Sequence, residues 1–210
     1  MSADAQFWDD IADDYAQKPV DLPDAFERKI AITVEHLVST DRVLDIGCGT
    51  GSLLLRLAEH AAELHGLDIS KEMVRIARDK AAAAHADHVQ FHVGAFDESF
   101  DVLDDDSLDM VLAYSLLHLV DDHRVALEHI FRLLKPGGIF VWSTVCLKDG
   151  AMPMGPVLWV MRKLGKAPYV SRLKRSTLMA DMRDVGFVDV EAHDVGAKPT
   201  TAFVVCQKPA

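Results

Sequence analysis

Cysteine is scarce in this chain: Cys48, Cys146 and Cys206 are the whole complement in 210 residues. They stand far apart with no C-x-x-C pattern. This argues against a disulfide framework or a structural zinc site, and predicts each as a small buried residue. Long apolar runs are missing too. No stretch approaches the roughly 18 consecutive apolar residues of a membrane span, and the first residues lack the basic start and apolar run of a secretory leader. The expectation is a soluble, cytoplasmic protein without stable membrane insertion. Positive charge is in deficit, with 22 Lys and Arg against 33 Asp and Glu and a formal net charge of −11. Such a surface repels phosphate backbones, so nucleic acid is not an expected partner.

What the chain does have is apolar material: half its residues are hydrophobic, enough for a substantial core. One domain over 1–210 is expected, with an N-terminal helical cap over 1–38 and a second cap inserted at 148–175. Charge is unevenly placed. The stretch from Ala151 to Ala180 carries Arg162, Lys163, Lys166, Arg172, Lys174 and Arg175 and no acid, whereas the N-terminal region is rich in Asp. Opposite charge predicts that these two segments meet, although each surface pair contributes only about 0–1 kcal/mol. The sequence does not specify an oligomeric state.

Two amphipathic helices are predicted first, Ala3 to Gln17 and Leu22 to Val38. Strands then alternate with helices, the signature of a parallel sheet covered on both faces. The strands are Arg42 to Ile46, Glu63 to Asp68, His88 to Val93, Leu108 to Tyr114 and Gly138 to Cys146. The helices are Thr50 to Ala62, Lys71 to His85 and Asp121 to Leu134, with a loop over Gly94 to Ser107. Ser70 is the predicted N-cap of the second of these helices. Lys135-Pro136-Gly137-Gly138 stops the third helix, since proline cannot continue it and the glycines turn into a strand. Met152 to Pro156 and the apolar run Val157 to Met161 then interrupt the alternation. A helix over Ser176 to Val185 and an antiparallel pair, Val188 to Val195 with Thr201 to Cys206, close the chain.

Chemistry concentrates at Val43-Leu44-Asp45-Ile46-Gly47-Cys48-Gly49-Thr50-Gly51, where a buried strand runs into glycines two apart. Glycine permits positive φ and removes the Cβ that would hold a ligand away. The spacing differs from the G-x-G-x-x-G of dinucleotide enzymes, and no Lys-Ser/Thr pair follows as in a phosphate-gripping P-loop. The next strand ends at Asp68, on the same sheet edge. Asp68 admits two readings: a carboxylate accepting ribose hydroxyls with Ile69 over an adenine face, or an N-cap of the following helix. The glycine loop favours the first.

These features resemble the class I S-adenosylmethionine-dependent methyltransferases across about Arg42 to Phe140, with four segments agreeing in order: Val43 to Gly51, Asp68, Ser107 to Asp122, and Leu133 to Phe140. The resemblance implies an α/β, Rossmann-like sheet of seven strands, six parallel and the last antiparallel, with helices on both faces. It implies S-adenosylmethionine as cofactor and S-adenosylhomocysteine as product. Asp45, Gly47, Gly49 and Gly51 then belong to the cofactor loop, with Asp45, Gly47 and Gly49 along the methionine part, and Asp68 and Ile69 take the nucleoside. Met73 either completes the adenine wall or faces the core. Many relatives have Gly-Asp-Ala where this chain has Gly94-Ala95-Phe96, so backbone of Ala95 or Phe96, or Asp97, replaces the missing carboxylate. Tyr114 is expected to meet the methionine end through its backbone.

Methyl transfer asks the protein mainly to align donor and acceptor, and a base is needed only where the acceptor must lose a proton. His118 is the best base candidate and Tyr15 the candidate aromatic lid; satisfied packing is the alternative for each. A metal site at His118, Asp121, Asp122 and His123 is rejected, because acids at a helix start are favoured by the dipole alone. The absence of Asp-Pro-Pro-Tyr and Pro-Cys motifs points to a small-molecule or lipid-like acceptor. Two other classes remain open: a non-catalytic cofactor-binding module and a nicotinamide-dependent reductase.

Overall fold

The computed structural model describes residues 3–97, 100–150 and 155–210; Met152, Pro153 and Met154 of the expected cap lie outside them. Helices α1 (Ala3–Gln17) and α2 (Pro23–Glu35) come first. Strands β1 (Arg42–Ile46), β2 (Glu63–Asp68), β3 (Val89–Val93), β4 (Leu108–Tyr114) and β5 (Leu134–Val145) follow, with helices α3 (Ser52–Leu57), α4 (Lys71–Ala83) and α5 (His123–Leu133) between them. Helices α6 (Gly155–Lys163) and α7 (Arg175–Val185) precede β6 (Val188–Ala192) and β7 (Thr201–Gln207). The strands form one sheet in the order β3-β2-β1-β4-β5-β7-β6, with β7 antiparallel to both neighbours and the rest parallel. This is the expected Rossmann-like sheet.

Each central strand is buried on both faces, so alternate residues feed two separate cores. Leu44, Val111, Phe140 and Trp142 pack toward α5 and α7, where the Trp142 Nε1 donates to Met182 Sδ at 3.0 Å. Val43, Met110, Leu112 and Val141 join Leu54 and Leu57 of α3 and Val74 and Ala77 of α4 on the other face. Cys48, Cys146 and Cys206 are buried free thiols, as predicted.

Several ends differ from expectation: α2 stops at Glu35 rather than Val38, and β6 at Ala192 rather than Val195, and two differences are larger. Helix α3 ends at Leu57 and passes into a short 3-10 turn, Ala58–His60. Strand β5 starts at Leu134, which pairs with Leu108 before the Pro136-Gly138 irregularity, rather than at Gly138. The residue before a proline is pushed to extended backbone, so Lys135 belongs to the strand rather than to the helix. The N-terminal and basic segments meet: Arg162 approaches Asp4 at 3.9 Å, and Tyr169 N donates to Asp4 Oδ1 at 3.1 Å.

Candidate active site

The carboxyl edge of the sheet carries the site, beginning with the glycine loop after β1. Gly47 N and Cys48 N both donate to Leu67 O, at 2.7 and 3.0 Å, which folds the loop over the end of β2. Gly47 has φ 73°, and a Cβ there would stand 2.8 Å from Leu116 Cδ1. Gly51 serves packing instead: a Cβ would meet Phe91 Cζ at 2.7 Å and Ala77 Cβ at 2.9 Å, because α3 must pass close to β3 and α4.

Asp68 is fixed by backbone. Gly49 N donates to its Oδ2 and Ser70 N to its Oδ1, each at 2.9 Å. The two carboxylate oxygens together offer about four acceptor sites, so acceptor capacity remains for a ligand. The helix-cap reading of Asp68 does not hold, because Ser70 caps α4 by accepting from Met73 N at 3.1 Å. Burial raises the Asp68 pKa above its usual value, opposed by the backbone N–H groups of Ser70, Gly49 and Ile69 and reinforced by Asp9.

Asp45 is only 2% exposed, and its Oδ1 has no hydrogen-bond partner. Burial, and then the nearby Asp68 charge, push its pKa well above the usual value. Two carboxylates thus flank the loop without a cation against them among the described residues. That arrangement fits a ligand bearing an ammonium for Asp45 and a diol for Asp68, as S-adenosylmethionine does.

Helix α1 crosses over this floor. Asp9 Oδ1 accepts from Ser70 Oγ at 2.7 Å and from Glu72 N at 3.2 Å, and Tyr15 Cε1 lies 4.0 Å from where a Gly49 Cβ would be. Tyr15 keeps 48% of its surface exposed, yet burial of part of the phenol and the Asp68 charge raise its pKa. Ile69 is half-buried beside Asp68. Met73, 2% exposed, belongs to neither sheet core. Ala95 is exposed after β3, whereas the Phe96 ring is stacked on His129 at 4.5 Å, which leaves only its backbone for a cofactor.

Beyond β4 and β5 the residues are held by side chains. Tyr114 shares a 2.8 Å hydrogen bond with Thr33, and its phenol pKa is raised by burial despite that bond. Lys29 Nζ donates to Ser143 Oγ at 2.7 Å, with its pKa lowered by burial. Ser115 adopts φ 58°, in the left-handed region, and its N–H donates to Ser143 O at 2.6 Å. A non-glycine residue held there carries strain of about 1 kcal/mol or more. His118 Nδ1 lies 3.1 Å from Thr144 Oγ1, and burial lowers its pKa to about 4, so the imidazole is neutral at physiological pH.

Of the residues of the rejected metal site, His118, Asp122 and His123 have structural partners. Asp122 caps α5 by accepting from Arg124 N and Val125 N, and His123 Nε2 is 2.8 Å from Asp181. Sequence reasoning missed Asp9, Thr33, Lys29 and Ser143. Nothing in the chain distinguishes Asp9 from the other acids of α1, or Lys29 from an ordinary surface lysine.

A doubly wound sheet with a glycine loop at its carboxyl edge, and two carboxylates there without a cationic partner among the described residues, is a Rossmann-like arrangement. Comparison with known proteins narrows this. A family model described as a methyltransferase domain matches residues 37–175. The O-methyltransferase cnsE of Penicillium expansum is 30% identical over 194 residues, covering 90% of this chain and 66% of that protein. The ubiquinone biosynthesis O-methyltransferase of Coxiella burnetii is 30% identical over 121 residues, 57% of this chain and 47% of that protein. The chain therefore spans about half to two thirds of the length of these curated relatives. Among solved structures, phosphoethanolamine N-methyltransferase 2 of Haemonchus contortus, in complex with S-adenosyl-L-methionine, matches with a TM-score of 0.72 at 17% identity, over 88% of this chain and 53% of that one. The chain belongs to the class I S-adenosylmethionine-dependent methyltransferase family. That assignment sets aside the nicotinamide-dependent reductase.

Proposed function

We propose that this protein transfers the methyl group of S-adenosylmethionine to a small, hydrophobic acceptor by in-line attack. The observation that carries the reading is the pair Asp45 and Asp68 on either side of the glycine loop, both without a cationic partner among the described residues. Asp45 Oδ1 is the acceptor for the methionine ammonium. Asp68 offers its free lone pairs to the ribose hydroxyls, Ile69 and Met73 border the adenine, and backbone at Ala95 and Phe96 meets its edge. Gly47 and Gly49 let the loop approach the methionine chain, Gly51 keeps that loop seated, and Tyr114 contributes its backbone.

The bound donor supplies an electrophilic sulfonium methyl, so the protein's own task is alignment and exclusion of water. Helix α1, with Tyr15 over Gly49, covers the donor. His118 faces the acceptor as a neutral imidazole that takes a proton from an acceptor hydroxyl, oriented through Thr144. An oxygen acceptor is supported by the names of the curated relatives, which are O-methyltransferases.

Two measurements test this. Calorimetric titration with S-adenosylhomocysteine should give affinity about 100-fold or more weaker in Asp68→Ala, as expected for two hydrogen bonds to a charged group. Unchanged affinity in a folded variant removes the assignment. Mass spectrometry of a cell extract incubated with protein and methyl-labelled donor should reveal a labelled small molecule. Donor binding without any labelled product would leave the non-catalytic module as the better reading.

A further inference from the structure

We propose that α6 docks this protein onto the surface of an anionic phospholipid bilayer. An amphipathic helix normally turns its apolar stripe, at positions i, i+3, i+4 and i+7, toward the core. In α6 and the turn after it that stripe is Val157, Val160, Met161 and Leu164, and it faces solvent: Val157 is 50% exposed, Val160 49% and Leu164 64%. Trp159 stands beside it, 64% exposed. Other exposed apolar residues, such as Val38, Val93 and Val125, are scattered singly, which is ordinary for a protein surface.

The helix is held in this outward pose by its opposite side. Leu158 is half-buried, while Arg162 approaches Asp4 and places its guanidinium 4.9 Å from the Tyr169 ring centroid. The chain continues to Ser171, whose N–H donates to His118 O at 2.7 Å, so docking face and acceptor half are one continuous piece.

Charge selects the occupant. Lys163 and Lys166, on α6 and in the turn that closes it, are exposed, and neither has a carboxylate partner among the described residues. Lys163 Nζ instead lies 5.9 Å from the Trp159 ring centroid. This cationic, apolar patch sits on a chain of net charge −11, so an anionic surface attracts the patch and repels the body, fixing the orientation. Basic residues around an apolar, Trp-bearing face are what an interfacial helix requires. A two-fold pairing of two copies through this stripe would set the same cations against each other.

The test is co-sedimentation of the full chain with phosphatidylcholine vesicles, with and without phosphatidylglycerol. Binding is expected only to the anionic vesicles, with a blue shift of Trp emission that Trp159→Phe removes. It should weaken several-fold as salt rises from about 0.05 to about 0.5 M. Trp159→Ser with Leu164→Ser should abolish sedimentation while leaving S-adenosylhomocysteine affinity unchanged. If that pair also loses cofactor affinity, Lys163→Gln with Lys166→Gln decides, since each cation removed should weaken vesicle binding about fivefold. Protein that stays in the supernatant at every composition overturns the proposal. So does a lysine pair that binds like the wild type, or concentration-dependent self-association in light scattering that the Trp159→Ser, Leu164→Ser pair abolishes.

Discussion

The two halves of the carboxyl sheet edge are built by different means. At the exits of β1 and β2 the backbone does the holding: Gly47 N and Cys48 N on Leu67 O, Gly49 N on one oxygen of Asp68, Ser70 N on the other. At the exits of β4 and β5 side chains from distant segments converge, Tyr114 on Thr33, Lys29 on Ser143 and His118 on Thr144. A backbone-made half needs only glycine and one acid at the right places, which on the proposed function suits a donor of fixed chemistry. A half made from side chains of separate segments can be altered one residue at a time, which on the proposed function suits an acceptor that differs between relatives.

The contrast can be tested most severely at Asp45. Asp45→Asn keeps the shape but removes a buried charge already repelled by Asp68. Donor affinity should fall on the order of 100-fold, since a charged hydrogen bond is lost, while the thermal midpoint holds or rises. Calorimetry and melting on the same samples check both. Because the Asp45 pKa is raised, its proton must leave before the carboxylate can meet an ammonium. Wild-type affinity should therefore increase with pH through that titration, and the Asn variant should lose the dependence.

A smaller effect separates shape from charge within the donor half. Gly47→Ala must place a Cβ at φ 73° and 2.8 Å from Leu116 Cδ1. A loss of about 2–3 kcal/mol in denaturant unfolding is expected from left-handed strain plus overpacking. Gly165→Ala, at φ 67° with nothing within 4 Å, is the control and should lose only about 1–2 kcal/mol from strain. Equal losses would mean that Leu116 gives way freely.

The smallest effect concerns the acceptor half. His118 titrates near 4 when folded and at its ordinary 6.5 when unfolded. The unfolded chain therefore binds the extra proton between these values, and the His118 contribution to stability is lost as pH falls from 6.5 toward 4. His118→Gln should remove about 1–2 kcal/mol of that acid loss between roughly pH 6.5 and 5, measured by urea unfolding at each pH. Above pH 6.5 the imidazole is neutral, so it should impose no pH dependence on methyl transfer between about pH 7 and 8.

Legibility followed the same division. Strands β1, β2 and β4 have the bounds that their apolar runs predict, since parallel strands buried on both faces leave no other reading. That the loop from Asp45 to Gly51 and the acid at Asp68 come together at one sheet edge was equally plain, because each stands at the end of one of two adjacent parallel strands. Lys29 and Asp9 were not: each reaches its partner across 114 and 61 residues respectively, and only the packing of α2 and α1 creates the meeting. The stacking of the Phe96 ring on His129 of α5 was not legible either, since only tertiary packing brings the two rings together. The start of β5 was misplaced because Pro-Gly-Gly signals a break equally well inside a bulged strand.

Asp9 carries one consequence about time rather than affinity. By accepting from Ser70 Oγ and Glu72 N, it latches the lid helix to the cap of α4. On the proposed function, a donor leaving from beneath Tyr15 would have to wait for that latch to release, although Asp9 itself need never touch it. On the proposed function the N-terminal helix would then set the cofactor's residence time, and weakening the latch should speed entry and exit together while leaving the equilibrium between them little changed.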